Sequence, residues 1–204
     1  METCNVISID QKIVNWKTNN KVSQFKDNNA IKRPIELPCH VNQVKIKGEA
    51  WTILVGLLDG RPYEVFGGLS KFIEIPKKYK DGILLKNGKK DGITTYNLIC
   101  GEGDDQFIIK DVVSTFENTT QGAFTRIISL SLRHGAPVNF VVDQLLKDQH
   151  SDITSFSKVI ARVLKKYIAE GTSSTIKCEQ CDSTNVVFEQ GCSKCLDCLN
   201  SRCG

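Results

Sequence analysis

The sequence of 204 residues has no long apolar run and little net charge. No apolar stretch approaches the ~20 residues that span a bilayer, so no membrane segment is predicted. Its start, Met-Glu-Thr-Cys-Asn, lacks the basic and apolar regions of a signal peptide, and we expect a cytoplasmic protein. With 27 basic and 23 acidic residues, the formal charge of +4 neither demands nor excludes nucleic-acid binding.

The cysteine count of nine is odd. In a reducing compartment, an odd number argues against a disulfide scaffold and for metal binding or redox chemistry. Three cysteines, Cys4, Cys39 and Cys100, are scattered singly, whereas six lie between Cys178 and Cys203. The chemistry is therefore expected at the end of the chain.

The main part of the chain predicts an α+β core. Residues 1–33 are polar and without period, and are interpreted as a flexible N-terminal arm. From Pro34 to about Lys110, alternating and continuous apolar runs separated by turn residues predict antiparallel hairpins. One hairpin turns at 59–62, and a second has strands at 82–85 and 93–100 around a loop containing Asn87-Gly88 and Asp91-Gly92. A last strand is predicted at 106–109.

About three helices follow the strands. The apolar period predicts helices at 122–133, 137–146 and from about 155 to 168, each ended or begun by glycine, proline or a capping hydroxyl. The fold class is thus a hairpin-rich antiparallel sheet packed with helices, over residues 34–170.

Two features of the helices bear on nucleic-acid binding. The second helix is mostly apolar and carries no Lys or Arg, so an ordinary helical hairpin is favoured over a DNA-binding helix-turn-helix. The basic residues of the third helix are expected on a solvated outer face; they are Lys158, Arg162, Lys165 and Lys166.

A small polar linker, 171–177, precedes a cysteine-rich tail, 178–204. Paired Cys-x-x-Cys units at ribbon spacing predict a four-sulfur zinc site, and a segment this short needs such a staple to fold. Two sets are open. The first is Cys178, Cys181, Cys192 and Cys195, which leaves Cys198 and Cys203. The second is Cys178, Cys181, Cys195 and Cys198, which leaves Cys192 and Cys203.

The two surplus thiols favour redox chemistry. Zinc is not redox-active, so a zinc-only tail gives no reason for two further cysteines near an exposed end. A dithiol that cycles to a disulfide does give one, because exchange needs an accessible thiolate and a nearby partner.

Several motifs, in this order, resemble the C-terminal portion of adenosylcobalamin-dependent (class II) ribonucleotide reductases. The resemblance runs from about Ala30 to the last residue, and it includes the cysteine-rich tail. The core is similar to the domain called TSCPD, although the residue string that gives that domain its name is absent. The motifs are Ala30–Pro34 with Leu37–Cys39, Trp51–Leu57 with Asp59–Phe66, Ser131–Gly135, Phe156–Ile168, Val187–Cys192 and Ser201–Gly204.

The resemblance implies a role for the tail. In that family, a mobile C-terminal cysteine pair reduces a disulfide formed inside a catalytic barrel. Such enzymes commonly end in Cys-x-x-x-x-Cys, which Cys198 and Cys203 reproduce. By this analogy Cys198 and Cys203 carry the exchange, and Cys178, Cys181, Cys192 and Cys195 hold zinc.

The barrel itself is absent from this sequence. The resemblance therefore implies a component of a ribonucleoside-diphosphate reductase that is inactive alone. Its partners would be a catalytic chain, which would carry the adenosylcobalamin, and a thioredoxin-like or other dithiol reductant. Residues Asp182 and Leu199 stand where zinc knuckles often have glycine, which departs from the expected pattern.

Two other functions remain open on the sequence. One is a nucleic-acid-binding or regulatory zinc ribbon, although the tail's charges, Lys177, Lys194 and Arg202 against Glu179, Asp182, Glu189 and Asp197, do not favour it. The other is a structural module whose zinc only staples an interface.

Overall fold

The computed structural model describes residues 30–90, 92–116, 118–147, 152 and 154–202. Almost all of the predicted N-terminal arm and Cys203 therefore lie outside the described residues. Within the described residues the fold is α+β, as predicted, with a six-stranded antiparallel sheet, four α-helices and a small three-stranded sheet in the tail. No helix among the described residues has the length and apolar character needed to cross a membrane.

The large sheet has six strands, which are β1 (Glu36–Ile46), β2 (Glu49–Leu58), β3 (Arg61–Leu69), β4 (Asp81–Lys90), β5 (Ile93–Cys100) and β6 (Phe107–Ile109). Their order across the sheet is β3-β2-β1-β4-β5-β6. Two successive hairpins, β1–β2 and β2–β3, turn through two-residue loops whose residues all have positive φ, at Lys47-Gly48 and Asp59-Gly60. Positive φ at both loop positions matches the twist of the flanking strands.

The hairpin formed by β4 and β5 differs from its prediction at one point. Asn87-Gly88 does not form the loop but lies inside β4, where the register with β5 shifts between Lys86 and Lys89. A bulge absorbs the extra residues, so the strand continues to Lys90. Turn-forming residue types thus mark an irregularity in the strand rather than its end.

The helices are α1 (Val112–Thr115), α2 (Thr119–Arg133), α3 (Val138–Leu146) and α4 (Phe156–Leu164), with α4 continued by a 3₁₀ turn over Lys165–Tyr167. The three longer helices match the three predicted ones. The Asn118 side chain caps α2 by accepting a hydrogen bond from the Gln121 N–H. Helix α1 was not predicted, because four residues are too short to display a helical period.

Apolar side chains pack on both faces of the large sheet. On one face, residues of β2 and β3 pack against α2, α3 and α4. On the other, residues of β1, β4 and β5 pack with Val112 and Phe116. The sheet is therefore the central layer, and α4 lies between it and the cysteine tail.

A buried ionic group ties the first described residues to the core. Glu64 is completely buried and accepts from the guanidinium groups of Arg33 and Arg133, at 2.7 and 2.6 Å. Arg33, which the sequence assigns to the arm, also donates to the Leu84 carbonyl. Because a buried carboxylate needs a charged or hydrogen-bonded partner, this group fixes residue 33 against the sheet.

The expectation of a solvated outer face is wrong for Lys165. This side chain is only 3% exposed, whereas Lys166 is exposed and donates to Asn42 Oδ1 at 2.9 Å. The tightening of α4 into the 3₁₀ turn begins at Lys165, and the tail covers that side of the helix. Helical periodicity alone does not reveal this covering segment.

Candidate metal centre

Two tight turns of the tail point four sulfurs at one position. In the first, the Cys178 N–H donates to the Ser183 carbonyl; in the second, the Cys195 N–H donates to the Asn200 carbonyl, both at 2.8 Å. In both turns, therefore, the N–H of the first cysteine donates to the carbonyl of the residue five positions later. The residue after each second cysteine has positive φ, 55° at Asp182 and 61° at Leu199. These are the two positions where the sequence lacks the expected glycine.

The four sulfurs of Cys178, Cys181, Cys195 and Cys198 all lie within 4.8 Å of one another. Cys178 Sγ is 3.5 Å from Cys198 Sγ, and Cys181 Sγ is 3.6 Å from Cys195 Sγ. A tetrahedral zinc with Zn–S bonds of about 2.3 Å spaces its sulfurs by roughly 3.8 Å. The cluster thus has the donor set and spacing to hold a metal ion such as zinc.

Cys192 is not part of this cluster. It begins the second strand of the small sheet, whose strands are β7 (Val186–Glu189), β8 (Cys192–Cys195) and β9 (Ser201–Arg202). An extended strand rises about 3.3 Å per residue, so Cys192 and Cys195 lie roughly 10 Å apart and on opposite faces. Cys192 is disulfide-bonded, whereas the six other described cysteines are free.

The structure therefore brings together three of the four residues that the analogy assigned to zinc, with Cys198 in place of Cys192. This grouping is the second of the two sets that the spacing left open. Cys203 lies outside the described residues. The redox roles of Cys198 and Cys203 stay predictions.

Backbone donors make the cluster suitable for thiolates. The N–H of Gln180, with a smaller contribution from that of Cys181, lowers the pKa of Cys178 to about 6. The N–H of Cys198 likewise lowers the pKa of Cys195. Although the Ser183 N–H acts to lower it, hydrogen bonds with the neighbouring cluster thiols raise the pKa of Cys181 to about 12, and the pKa of Cys198 is raised as well. Ionisation is thus favoured at two of the four sulfurs, and the thiolate is the form that binds zinc.

A polar network around Asp197 orients the two turns. Its carboxylate accepts from the Ser183 hydroxyl and, at 2.9 Å, from the Asn185 side-chain amide. The Leu196 N–H also donates to the Asn185 carbonyl at 2.9 Å. Sequence reasoning missed this network, because single polar residues between cysteines carry no recognisable pattern.

The tail is docked on the core. Phe188 of β7 is 2% exposed and belongs to the core cluster that includes α3 and α4. The segment predicted as a linker pairs with β7, since Ser174 donates to the Val186 carbonyl and Phe188 to the Thr172 carbonyl, both at 2.8 Å. The division into separate domains stays a prediction, and these contacts cross it.

A buried carboxylate of α3 strengthens this docking. Asp143 is completely buried and accepts from the Ser174 hydroxyl and from both the backbone and the hydroxyl of Thr175. Three hydrogen bonds to one carboxylate hold the segment before Cys178 in place.

Comparison with known families assigns the core. A family model described as "NrdJ homologue C-terminal domain" matches residues 37–169, which is more than half of the chain. The match begins in β1 and ends after the 3₁₀ turn, so it covers the large sheet and the helices and does not reach the cysteine tail. No curated protein and no solved structure matched the chain. On the strength of the matched core, the chain belongs to the NrdJ homologue C-terminal domain family and is related to the class II ribonucleotide reductase NrdJ.

Proposed function

We propose that this chain serves a class II ribonucleotide reductase as a thiol–disulfide relay. In this proposal, Cys178, Cys181, Cys195 and Cys198 hold zinc, and Cys192 with Cys203 forms the working pair. The observation that carries the proposal is the position of Cys192, which lies outside the four-sulfur cluster, at the opposite end of β8 from the cluster residue Cys195.

The strand register supports Cys203 as the partner of Cys192. In the antiparallel pair β8–β9, Lys194 faces Ser201 and Ser193 faces Arg202. Cys203 lies outside the described residues; a register continued by one residue would set it opposite Cys192. Directly opposed residues in antiparallel strands have Cα atoms about 4.5–5.5 Å apart, which a disulfide can bridge.

The relay step is a two-electron exchange. A thiolate of the pair attacks a disulfide of the catalytic chain and forms a mixed disulfide, and the second thiolate then attacks the relay sulfur. The catalytic chain leaves with two thiols, and the relay leaves as the Cys192–Cys203 disulfide. An external dithiol reductant, thioredoxin-like or other, restores it. The four clustered cysteines would hold zinc, which would supply a rigid mount for the strands that carry the pair.

Two serine variants separate this assignment from the alternative, in which Cys198 and Cys203 are the pair. We expect Cys192→Ser to keep its zinc and to lose multiple turnovers when mixed with a catalytic chain and an external reductant. We expect Cys198→Ser to lose zinc, because it removes one of the four clustered sulfurs. Zinc content and steady-state turnover are measured on the same preparations.

The opposite pattern would contradict the proposal. If Cys192→Ser loses zinc and Cys198→Ser keeps it, the first zinc set is correct. If Cys192→Ser and Cys203→Ser both turn over like the parent, the tail is not a relay. Peptide mapping of the oxidised, zinc-loaded protein checks separately for the Cys192–Cys203 bond.

A structural zinc staple is the second candidate, and the burial of Phe188 favours it. A tail docked by a core aromatic and by Asp143 stabilises the fold whether or not it exchanges electrons. If this function is correct, Cys192→Ser and Cys203→Ser should each support turnover at the rate of the parent, whereas loss of zinc should destabilise the protein.

A further inference from the structure

A cavity of about 580 Å³ lies between α4, the end of α3 and the cysteine tail. We call it the cation pocket because six of the residues that line it carry a positive charge. Among its described lining residues, only Glu179 is acidic. The positive residues are Lys147, Lys158, Arg162, Lys165, Lys177 and Arg202.

Among these residues, Lys165 gives the strongest indication of a bound anion. Its side chain is 97% buried at the wall of the pocket, since only 3% of the residue is exposed. No described residue gives its ammonium a hydrogen bond or an ion pair. Its Nζ atom is not among the buried atoms that lack a hydrogen-bond partner, so the ammonium opens into the pocket while the rest of the residue is buried. An ammonium in such surroundings favours an anionic or hydrogen-bonding partner.

Neither of the two described carboxylates in this region, Asp143 and Glu179, forms an ion pair with Lys165. Asp143 contributes to the electrostatic environment of Lys165, but its oxygens accept from Ser174 and Thr175. Glu179 is paired with Arg202. Burial, with Arg202 and Arg162 nearby, lowers the pKa of Lys165, although the charge of Asp143 acts in the opposite direction.

A zinc-loaded cluster alone does not balance this charge. Cys178 and Cys195 line the same cavity, and a zinc–tetrathiolate centre carries a net charge of roughly −2. Counted with Glu179 and Asp143, this sets roughly four negative charges against the six cations that line the described part of the pocket. The surplus therefore calls for an anion from solution.

We propose that the cation pocket binds a small anion bearing two or more phosphate groups. Arg162 and Lys165 would contact it from α4 and the 3₁₀ turn, and Lys177 and Arg202 from the tail. The volume is that of a small-molecule site, and cations on two walls suit a ligand with several charged groups. Arginine adds paired donors that match phosphate oxygens. This proposal does not depend on the redox function.

The two walls give such a ligand a mechanical effect. Because one wall belongs to the core and the other to the tail, a bound polyphosphate would hold the tail against α4. Because the polyphosphate binds only the folded protein with its tail docked, the melting temperature should rise as the polyphosphate concentration rises.

The test is calorimetric titration of the zinc-loaded full chain with inorganic phosphate, pyrophosphate, tripolyphosphate and ATP. We expect saturable binding of the polyphosphates, weaker binding of phosphate, and affinity that falls with salt. ATP binding more tightly than tripolyphosphate would assign the ligand to the nucleotides, whereas equal affinity would assign it to inorganic polyphosphate. Zinc content is measured after each titration, because polyphosphates chelate metals.

Three variants locate the binding. Lys165→Met and Arg162→Gln should each weaken tripolyphosphate binding by about tenfold or more, the loss of one charged hydrogen bond. Methionine is apolar and of similar length, so Lys165→Met is expected to fold. Lys166→Gln is the matched control, since Lys166 is the next residue and is directed to Asn42 instead. Its affinity should equal that of the parent.

Three results would overturn the proposal. One is the absence of saturable polyphosphate binding to the zinc-loaded parent. Another is unchanged binding in both Lys165→Met and Arg162→Gln. The third is a single-stranded oligonucleotide that binds more tightly than any polyphosphate and is unaffected by Lys165→Met, which would identify an outer nucleic-acid surface instead.

Discussion

At the scale of single residues, the tail contains a backbone conformation that its side chains do not favour. Leu199 has φ 61° and is 70% exposed, so it holds the left-handed conformation with little burial in return. For a residue with a Cβ, this conformation costs about 1–2 kcal/mol. The second cysteine turn, between Cys195 and Cys198, requires it because the chain must reverse there toward β9.

We therefore predict that Leu199→Gly stabilises the zinc-loaded protein by about 1 kcal/mol, since glycine adopts positive φ readily. The free energy of unfolding by urea measures the effect. Leu196→Gly is the control: Leu196 lies in the same turn, is 47% exposed, and does not have positive φ. It should lose stability. A Leu199→Gly variant that is less stable than the parent would show that the Leu199 side chain matters more than its backbone.

The residue scale also shows why the sequence could not select the zinc ligands. Cys195 belongs to two overlapping Cys-x-x-Cys units, one with Cys192 and one with Cys198. The two units look alike in sequence, but one is an extended strand and the other a tight turn. Only pairing with β7, in which Val186 faces Cys195 and Glu189 faces Cys192, distinguishes them. That pairing is a contact between segments, which local spacing does not encode.

At the scale of elements, β7 connects the cysteine tail to the helices. Its residues alternate, with Val186 and Phe188 buried and Val187 and Glu189 partly exposed. Phe188 extends into the core beside α3 and α4. The strand therefore serves both the small sheet and the main core.

We predict that Phe188→Ala lowers the free energy of unfolding by about 3–5 kcal/mol, the usual cost of removing a buried aromatic ring. Val187→Ala, the neighbouring residue on the opposite face, should cost far less. Urea unfolding of the two variants, each loaded with zinc, gives the comparison. Equal losses would show that the tail and the core are only loosely associated.

Most elements of the core were predictable because their signals are local. Alternating residues, continuous apolar runs and glycine turns identify the strands, and a sustained apolar period identifies α2, α3 and α4. What was not predictable is nonlocal. The position of β1 between β2 and β4, the docking of Phe188 and the burial of Lys165 all depend on segments far apart in sequence.

At the scale of the whole molecule, two thiols in the core link stability to pH. Burial raises the pKa of Cys100 to about 11 and that of Cys39 well above its ordinary value. In the folded protein both stay protonated where the unfolded chain ionises them. The stability that this provides is complete below the ordinary pKa of 9.0 and is lost as the pH rises toward the folded-state value.

We predict that the parent loses stability more steeply between about pH 8 and pH 10.5 than a variant with Cys39→Ala and Cys100→Ala. The variant is expected to be less stable than the parent at neutral pH, because the shorter alanine side chains leave cavities in the core. Above pH 9, its free energy of unfolding should change less with pH than that of the parent. Urea unfolding of the zinc-loaded proteins across this range measures both slopes. Identical slopes would mean that neither thiol differs between the folded and unfolded states.

The order of the large sheet constrains how a partner chain meets this protein. At one edge, on β3, the Ser129 hydroxyl of α2 accepts from the Val65 N–H at 2.9 Å and donates to the Thr125 carbonyl of its own helix at 2.7 Å. At the other edge, β6 is only three residues long. Short or occupied edges resist the addition of a foreign strand. A catalytic chain should therefore recognise this core through side chains, and the same protected edges should keep copies of the core from joining edge to edge into aggregates.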